Sequence, residues 1–376
     1  MISVDDALLA SALERLRYLT ELESPSGNIE YLNVLRDALV TRWRELGLDV
    51  SITPGTTGDH IVAEWTVPES TGHVLLVTHY DTVWPVGELA RQPVVVCGDR
   101  VRGPGVFDMK SGLVAIEFAL AQLRQSGRTP IRTIRVVCIA DEEVSSVDGR
   151  RVIDAEAEGA VAVLGFEPAH PDGAFKNGRR GVARLLLRVT GRASHSGLAA
   201  DEGISAVDEL VDLLMDVREG APQAPDAGIN IGRISGGTRA NVVAGAAEAE
   251  VGLRFSDLAT EQSLLDLFHG LRVHRDGASL DIVTLSHRPA WPEDPHSRLT
   301  ELVITTARAQ GEEISARPAG GAGDTNFTGS KGIPTLDGLG PRGDHAHAVG
   351  EYVLLSSLGQ RISLLVELLT SSKLGV

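Results

Sequence analysis

Apolar positions recur at helical spacing over residues 7–22 and again over 29–46, which predicts two amphipathic helices at the start of the chain. Gly47 stops the second. Strand-like runs follow at 60–67 and 73–78, and the second ends abruptly at His79-Tyr80-Asp81. A Gly/Pro-rich loop, Arg102-Gly103-Pro104-Gly105, leads to Asp108, after which 111–124 reads as a helix. The apolar run at 132–140 marks a central buried strand and ends at Asp141-Glu142-Glu143; a similar run at 160–166 ends at Glu167. Polar groups with chemical potential thus fall just past the carboxyl ends of apolar strands, where open α/β sheets place ligands.

After about residue 180 the pattern changes. Strands at 182–190, 228–235, 241–255 and 279–287 and helices at 203–218 and 260–272 form a compact α+β unit of roughly a hundred residues. From Arg288 the earlier alternation returns, with a helix at 298–310, a Gly-rich turn at 320–323, a strand at 333–337 and a helix near 355–371. The predicted fold class is α/β: a mostly parallel-sheet catalytic domain (1–180 and 288–376) interrupted by a smaller inserted α+β domain (181–287). No internal repeat or low-complexity tract is visible.

Composition adds exclusions. The 376 residues are 43% apolar and 23% charged, enough to bury a full core. A formal charge of -16 argues against a nucleic-acid or anionic-membrane partner, although a local cationic pocket fits within an acidic protein. The two cysteines, Cys97 and Cys138, lie in apolar runs and read as buried, reduced thiols. The start, Met1-Ile2-Ser3-Val4, has neither the basic nor the apolar region of a signal peptide, and no apolar stretch reaches membrane-span length. A cytoplasmic protein is expected.

The strand-end groups are His79, Asp81, Asp108, Glu142, Glu143 and Glu167, joined near the C-terminus by His345 and His347. Imidazoles and carboxylates suit zinc and other divalent first-row metals. A two-metal hydrolase needs about two histidines and three carboxylates, one bridging ions roughly 3.5–4 Å apart. It also needs a further carboxylate to take a proton from water. Each group has a blander reading: a solvated His-x-Asp, or an Asp-Glu-Glu favoured by a helix dipole. Co-occurrence at successive strand ends is what points to metal chemistry.

Thr78-His79-Tyr80-Asp81-Thr82-Val83, then Arg102-Gly103-Pro104-Gly105-Val106-Phe107-Asp108-Met109-Lys110-Ser111-Gly112, then Asp141-Glu142-Glu143 resembles the dizinc family of glutamate carboxypeptidases, aminoacylases and succinyl-diaminopimelate desuccinylases. Gly191-Arg192-Ala193-Ser194-His195-Ser196-Gly197 and Ser286-His287-Arg288-Pro289-Ala290 bring it nearest the glutamate carboxypeptidase branch. The resemblance implies two divalent ions, zinc with cobalt or manganese as alternatives. It implies His79 and Glu167 on one ion, Glu143 and His347 on the other, and Asp108 bridging. Asp81 orients His79, Glu142 is the general base, and the Asp108–Met109 peptide is cis. His347 is chosen over His345 because Glu351 follows it by four positions, as in the family motif; His345 falls where relatives commonly have glycine and reads as an exposed loop residue.

The inserted domain is expected to be ferredoxin-like, a lid and dimerisation module. His195, supplied by a partner subunit, would stabilise the tetrahedral intermediate. Its loop departs from relatives at Ala200-Asp201-Glu202-Gly203, which leaves its placement less defined. Arg288 would grip a substrate carboxylate bidentately, with Asn241, Arg254 and Gly321 as further substrate contacts. The implied activity is hydrolysis of an amide bond next to a free carboxylate, in a peptide or N-acyl amino acid, by a homodimer. An aminoacylase or dipeptidase shares the same site. Two rivals differ in class: a non-catalytic binding homologue, and a cysteine hydrolase using Cys97 or Cys138, neither of which has an adjacent histidine.

Overall fold

Helix α1 (Asp6–Glu21) starts where the Asp5 side chain accepts the Leu8 amide, and α2 (Ile29–Glu45) where Asn28 accepts that of Tyr31. The computed structural model describes residues 5–222, 224 and 227–375. Strands β1 (Asp49–Thr53), β2 (His60–Trp65) and β3 (His73–His79) follow, then the short β4 (Val95–Cys97) and β5 (Arg100–Arg102). Next come α3 (Ser111–Gln125), β6 (Thr133–Ile139), α4 (Gly149–Glu156) and β7 (Ala160–Gly165). The middle of the chain forms β8 (Gly181–Thr190), β9 (Ser194–His195), α5 (Ala206–Gly220), β10 (Gly228–Gly236), β11 (Val242–Val243), β12 (Ala246–Phe255), α6 (Leu258–His269) and β13 (Ser279–Arg288). The last part holds α7 (Arg298–Ala309), α8 (Asn326–Gly329), β14 (Thr335–Leu336), β15 (Gly343–Asp344), β16 (Tyr352–Leu354) and α9 (Leu355–Leu369).

The chain forms two compact units. The first comprises Met1–Gly178, Glu293–Ala319 and Gly323–Val376; the second comprises Arg179–Pro292 with Gly320–Ala322. Among the described residues, the first unit is built on a six-stranded sheet in the order β1-β2-β6-β3-β7-β14. Strands β6, β3, β7 and β14 run parallel, while β1 and β2 add an antiparallel edge. Both faces are covered, so alternate residues feed different cores. Val74, Leu76, Val136 and Cys138 pack with the cluster that includes α1, α2, α3 and α9 residues. Leu75, Val77, Val137 and Ile139 pack with Val152 and Ile153 of α4. Leu75 and Leu76 are 0% exposed, and truncating such a side chain to alanine costs about 2–5 kcal/mol. This sheet is a rigid platform for whatever projects from its strand ends. A smaller sheet, β15-β16-β5-β4, belongs to the same unit.

The second unit is antiparallel, β10-β12-β8-β13, with the ferredoxin-like order β-α-β-β-α-β. Ala183, Leu185, Leu187 and Val189 of β8 face the buried Leu210, Leu213 and Val217 of α5 and Leu264 and Phe268 of α6. Arg184 and Arg188 alternate with them and are exposed.

The structure departs from the sequence expectations in several places. Helix α5 begins at Ala206 rather than 203, because the Ser205 hydroxyl caps it by accepting the Asp208 amide at 3.2 Å. The strand expected over 241–255 is divided: β11 pairs with β9 in a separate ribbon, and only β12 joins the main sheet. Helix α4 lies where no helix was foreseen. Cys97 is exposed, since its apolar run forms the edge strand of the small sheet; Cys138 is buried, and both are free. No helix among the described residues is long and apolar enough to cross a membrane.

Candidate metal centre

His79 is the last residue of β3, a strand buried along its whole length. Its Nδ1 lies 3.0 Å from the Asp81 carbonyl oxygen and 3.3 Å from Asp81 Oδ1. A proton held on Nδ1 by these acceptors leaves Nε2 as a lone-pair donor, the tautomer a metal ligand requires. That nitrogen faces Asp108 Oδ1 at 3.3 Å and Glu167 Oε1 at 3.5 Å.

Asp81 is fully buried and does more than face the ring. Its carboxylate accepts from the Ser26 hydroxyl at 2.6 Å and from the amides of Glu142 and Glu143 at 3.2 Å each. It therefore holds the 3-10 turn Glu142–Val144 that follows β6, in the manner of a helix cap. The same carboxylate serves two strand ends, so His79 and the glutamate pair are registered to one another.

Asp108 arrives on a tight loop. Gly105 sits at φ +73, and a Cβ there would lie 2.7 Å from Thr82 Cγ2, so the turn requires glycine. The π-type turn Val106–Lys110 follows, and its Asp108–Met109 peptide is cis. Asp108 Oδ2 lies 3.3 Å from His347 Nε2, which in turn is 3.1 Å from Glu143 Oε1. One carboxylate thus meets two imidazoles, one through each oxygen. His347 is held with a left-handed φ of 61°, uncommon outside glycine and typical of positions constrained by their surroundings. His345, also left-handed, is exposed and its ring lies 6.0 Å from that of Tyr352.

Ligand atoms of His79, Asp108 and Glu143 lie within 4.8 Å of one another, as do those of His79, Glu142 and Glu167. The electrostatics show what so many acids in one place require. Burial opposes a charged His79, yet hydrogen bonds to Asp108 and Asp81 and the Glu167 charge hold its pKa well above the ordinary value. Hydrogen bonds to Asp108 and Glu143 raise His347 to about 11. Burial opposes ionisation of Asp108, but the bonds from His347 and His79 hold its pKa below the usual range. Glu143 is pushed up by burial and by the Asp108 charge. Protons on the two imidazoles offset the carboxylates, and divalent cations held there would take the place of those protons. Neutral imidazole nitrogens and carboxylate oxygens are the donor set that such cations prefer.

The remaining candidates lie in the second unit. His195 is exposed, and its Nδ1 accepts the amides of Gly197 at 3.1 Å and Leu198 at 3.2 Å. Its proton therefore sits on Nε2, which is the donor. Asn241 comes just before β11, whose Val242 pairs with His195, and its carbonyl accepts the Ser196 amide at 3.1 Å. Arg254 and Arg288 both pair with Val182, from opposite sides, in one cross-strand row. Arg254 is exposed and Arg288 is buried. Gly321 accepts from Arg179 Nη1 at 3.0 Å through its carbonyl. Cys138 is no nucleophile: burial pushes its thiol up to about 12.

Several residues around these groups went unread in the sequence. Ser26 carries no signal for its bond to Asp81. Glu261 of α6 accepts from His287 Nε2 at 2.7 Å and the Ala290 amide at 2.8 Å, and so clamps both sides of Arg288. Glu351 served only as a spacing marker, although its carboxylate accepts three backbone amides of the Asp108 loop.

The parallel strands end at His79, at Glu142 and Glu143 and at Glu167, and two loops bring Asp108 and His347 against them, a donor set that suits a metal-dependent hydrolase. A family model described as "Peptidase family M20/M25/M40" matches residues 75–371, and the chain belongs to that family. It is a metallopeptidase of this family, a hydrolase of amide bonds. It is 27% identical over 370 residues to carboxypeptidase G2 of Pseudomonas sp. (strain RS-16), covering 96% of this chain and 88% of the relative. It is 31% identical over 303 residues to a succinyl-diaminopimelate desuccinylase of Shewanella pealeana, covering 74% and 77%. Its fold matches the crystal structure of a Staphylococcus aureus tripeptidase with a TM-score of 0.76 at 19% identity, covering 96% of this chain and 98% of that one. The family implies divalent metal ions, and the cluster at His79, Asp108 and Glu143 is where this chain could hold them.

Proposed function

We propose that this chain cleaves an amide bond next to a free carboxylate, as a carboxypeptidase of the glutamate type. The observation that carries the reading is the division of Asp108 between His79 and His347, one oxygen to each. It gives two half-sites: His79 with Glu167, and His347 with Glu143, joined through Asp108. Zinc suits this set best, with cobalt or manganese as alternatives. Bound there, the ions supply Lewis acidity that makes water deprotonable near neutral pH.

The chain's own groups do the rest. Glu142 accepts the proton of the attacking water at its carboxylate and returns it to the leaving nitrogen. Asp81 keeps the His79 proton on Nδ1. His195, from the partner subunit of a homodimer, donates its Nε2–H to the developing oxyanion. Arg288 grips the substrate carboxylate with its planar fork, and Asn241, Arg254 and Gly321 make further substrate contacts. The first unit is thus the catalytic domain and the second the lid and dimerisation domain. Homodimer formation is supported by apolar groups exposed on α5 and on the edge strand β10: Val211 at 52%, Met215 at 46% and Ile234 at 58%. A cytoplasmic setting is supported by an exposed free thiol at Cys97.

The desuccinylase and tripeptidase similarities favour a second reading of the same centre, an N-acyl amino acid amidohydrolase or dipeptidase, which differs only in the group bound beside the scissile bond. Glu142→Ala tests the shared mechanism. The variant should keep its metal, measured by elemental analysis, while kcat falls by roughly 10²- to 10⁴-fold on N-acyl amino acids or dipeptides. Full activity would remove Glu142 from its role.

A further inference from the structure

Glu351 follows His347 by four residues and is 1% exposed. Its Oε2 accepts from Trp84 Nε1 at 2.7 Å and from the Gly105 amide at 2.9 Å. Its Oε1 accepts from the amides of Phe107 at 2.8 Å and Asp108 at 3.0 Å. Both oxygens are thus committed to two donors each, and three of the four donors are successive or near-successive backbone amides turned inward around one anion. Such a concavity of amides usually binds an external anion; here the chain supplies its own, from a segment 243 positions away. The main chain repeats the connection. The Glu351 carbonyl accepts the Gly103 amide at 3.2 Å, and Tyr352 and Val353 pair with Arg102 and Val101.

We propose that Glu351 is the positioning residue that brings Asp108 and His347 into register. This inference rests on the two-metal reading above. Asp108 and His347 sit on loops with no regular structure to fix them: Asp108 has φ -114 and ψ 95 inside its turn, and His347 has a left-handed backbone. Metal ligands tolerate errors of only about 0.2 Å. A carboxylate that gathers the Gly105–Asp108 amides from four residues beyond His347 joins the two loops directly.

The chemistry also explains why the residue is an acid. Glutamine would present one oxygen to one pair of donors and an amino group to the other, setting N–H against N–H. Aspartate, one methylene shorter, does not span both pairs. Charge-assisted bonds from backbone amides to a carboxylate are also stronger than those to an amide.

The test is a Co2+ titration of the full chain, read by visible absorption, with thermal melts as the control for folding. The wild type should take up two ions per chain. Glu351→Gln should fold and lose roughly 10- to 100-fold in affinity for one of them, as outer partners of metal ligands commonly cause, with an altered cobalt spectrum. Trp84→Phe removes one donor and leaves the carboxylate in place; it should change the spectrum in the same direction by a smaller amount. A folded Glu351→Gln with wild-type affinity and spectrum overturns the proposal. If Glu351→Gln does not fold, Trp84→Phe decides, and a wild-type cobalt spectrum there overturns it as well. A wild-type chain that takes up no cobalt overturns the two-metal reading instead, and this inference with it.

Discussion

In the first unit, His79, Asp81, Asp108, Glu142, Glu143, Glu167 and His347 come from widely separated stretches and are set against one another by hydrogen bonds and ion pairs, with His347 alone among them exposed. In the second unit, His195, Asn241 and Arg254 are exposed, and only Arg288 is buried and flanked by a clamp. The first arrangement is organised before any ligand arrives. Its geometry depends on strand ends whose positions are fixed by a core on both faces and, for Asp108 and His347, on two loops joined through Glu351. On the proposed reading, the second presents donors to substrate groups or to another subunit. Preorganisation belongs where ions must be held to a few tenths of an ångström, and exposure belongs where a substrate must enter and leave.

The division predicts that metal uptake and substrate recognition can be separated by mutation. The largest effect should come from Asp108→Ala. It removes a group shared by both half-sites, so bound metal should fall toward zero by elemental analysis and activity should vanish with it. Retention of two ions would break the picture of one shared carboxylate. Next come the second-unit variants. Arg288→Ala should raise KM about 10- to 100-fold, the worth of a charge-assisted contact, and His195→Ala should lower kcat roughly 10²- to 10³-fold. Both should keep full metal content, and loss of metal in either would erase the contrast between the units.

The smallest effect is expected at an exposed ion pair of the first unit. Asp172 accepts from Arg317 at 2.8 and 2.9 Å, and that bond holds its carboxyl at about 2, below the ordinary 3.8. A depressed acid stabilises the fold fully above its unfolded pKa and loses that contribution as pH falls toward the folded value. Arg317→Ala should therefore reduce the loss of stability between about pH 4 and pH 2 in acid titrations followed by circular dichroism, without altering metal uptake at neutral pH.

The strand-end chemistry was legible because the strands themselves are. Apolar runs such as 73–78 and 160–166 end at a polar residue, and the structure puts His79 and Glu167 at those strand ends. The α+β insert was equally readable from alternation along β8 and the amphipathic α5, while its ferredoxin-like form was implied by the family resemblance. Helix α4 was not, because Gly149–Glu156 is rich in charge and carries Val152 and Ile153 as an adjacent pair rather than a repeating stripe. Cys97 misled because an apolar run reads alike in a central strand and at a sheet edge, and only pairing distinguishes them. Asp81 was read as a partner of one imidazole. That it also holds the amides of Glu142 and Glu143 depends on β3 lying beside β6, which no local pattern records. Arg254 and Arg288 fall in a common row for a similar reason: their register with Val182 is a property of the sheet.

The two ends of the inserted stretch lie side by side. Arg179 and Trp291 exchange reciprocal amide–carbonyl bonds of 2.8 and 3.0 Å, and one step further out Asn177 Nδ2 donates to Glu293 at 2.8 Å. The outgoing and returning segments are therefore zipped side by side, like the stem of a long hairpin. Replacing the intervening stretch with a tight turn would shorten the chain without parting the ends it joins. The first unit could then be prepared without the insert, and any cation loading it retains would belong to that unit alone.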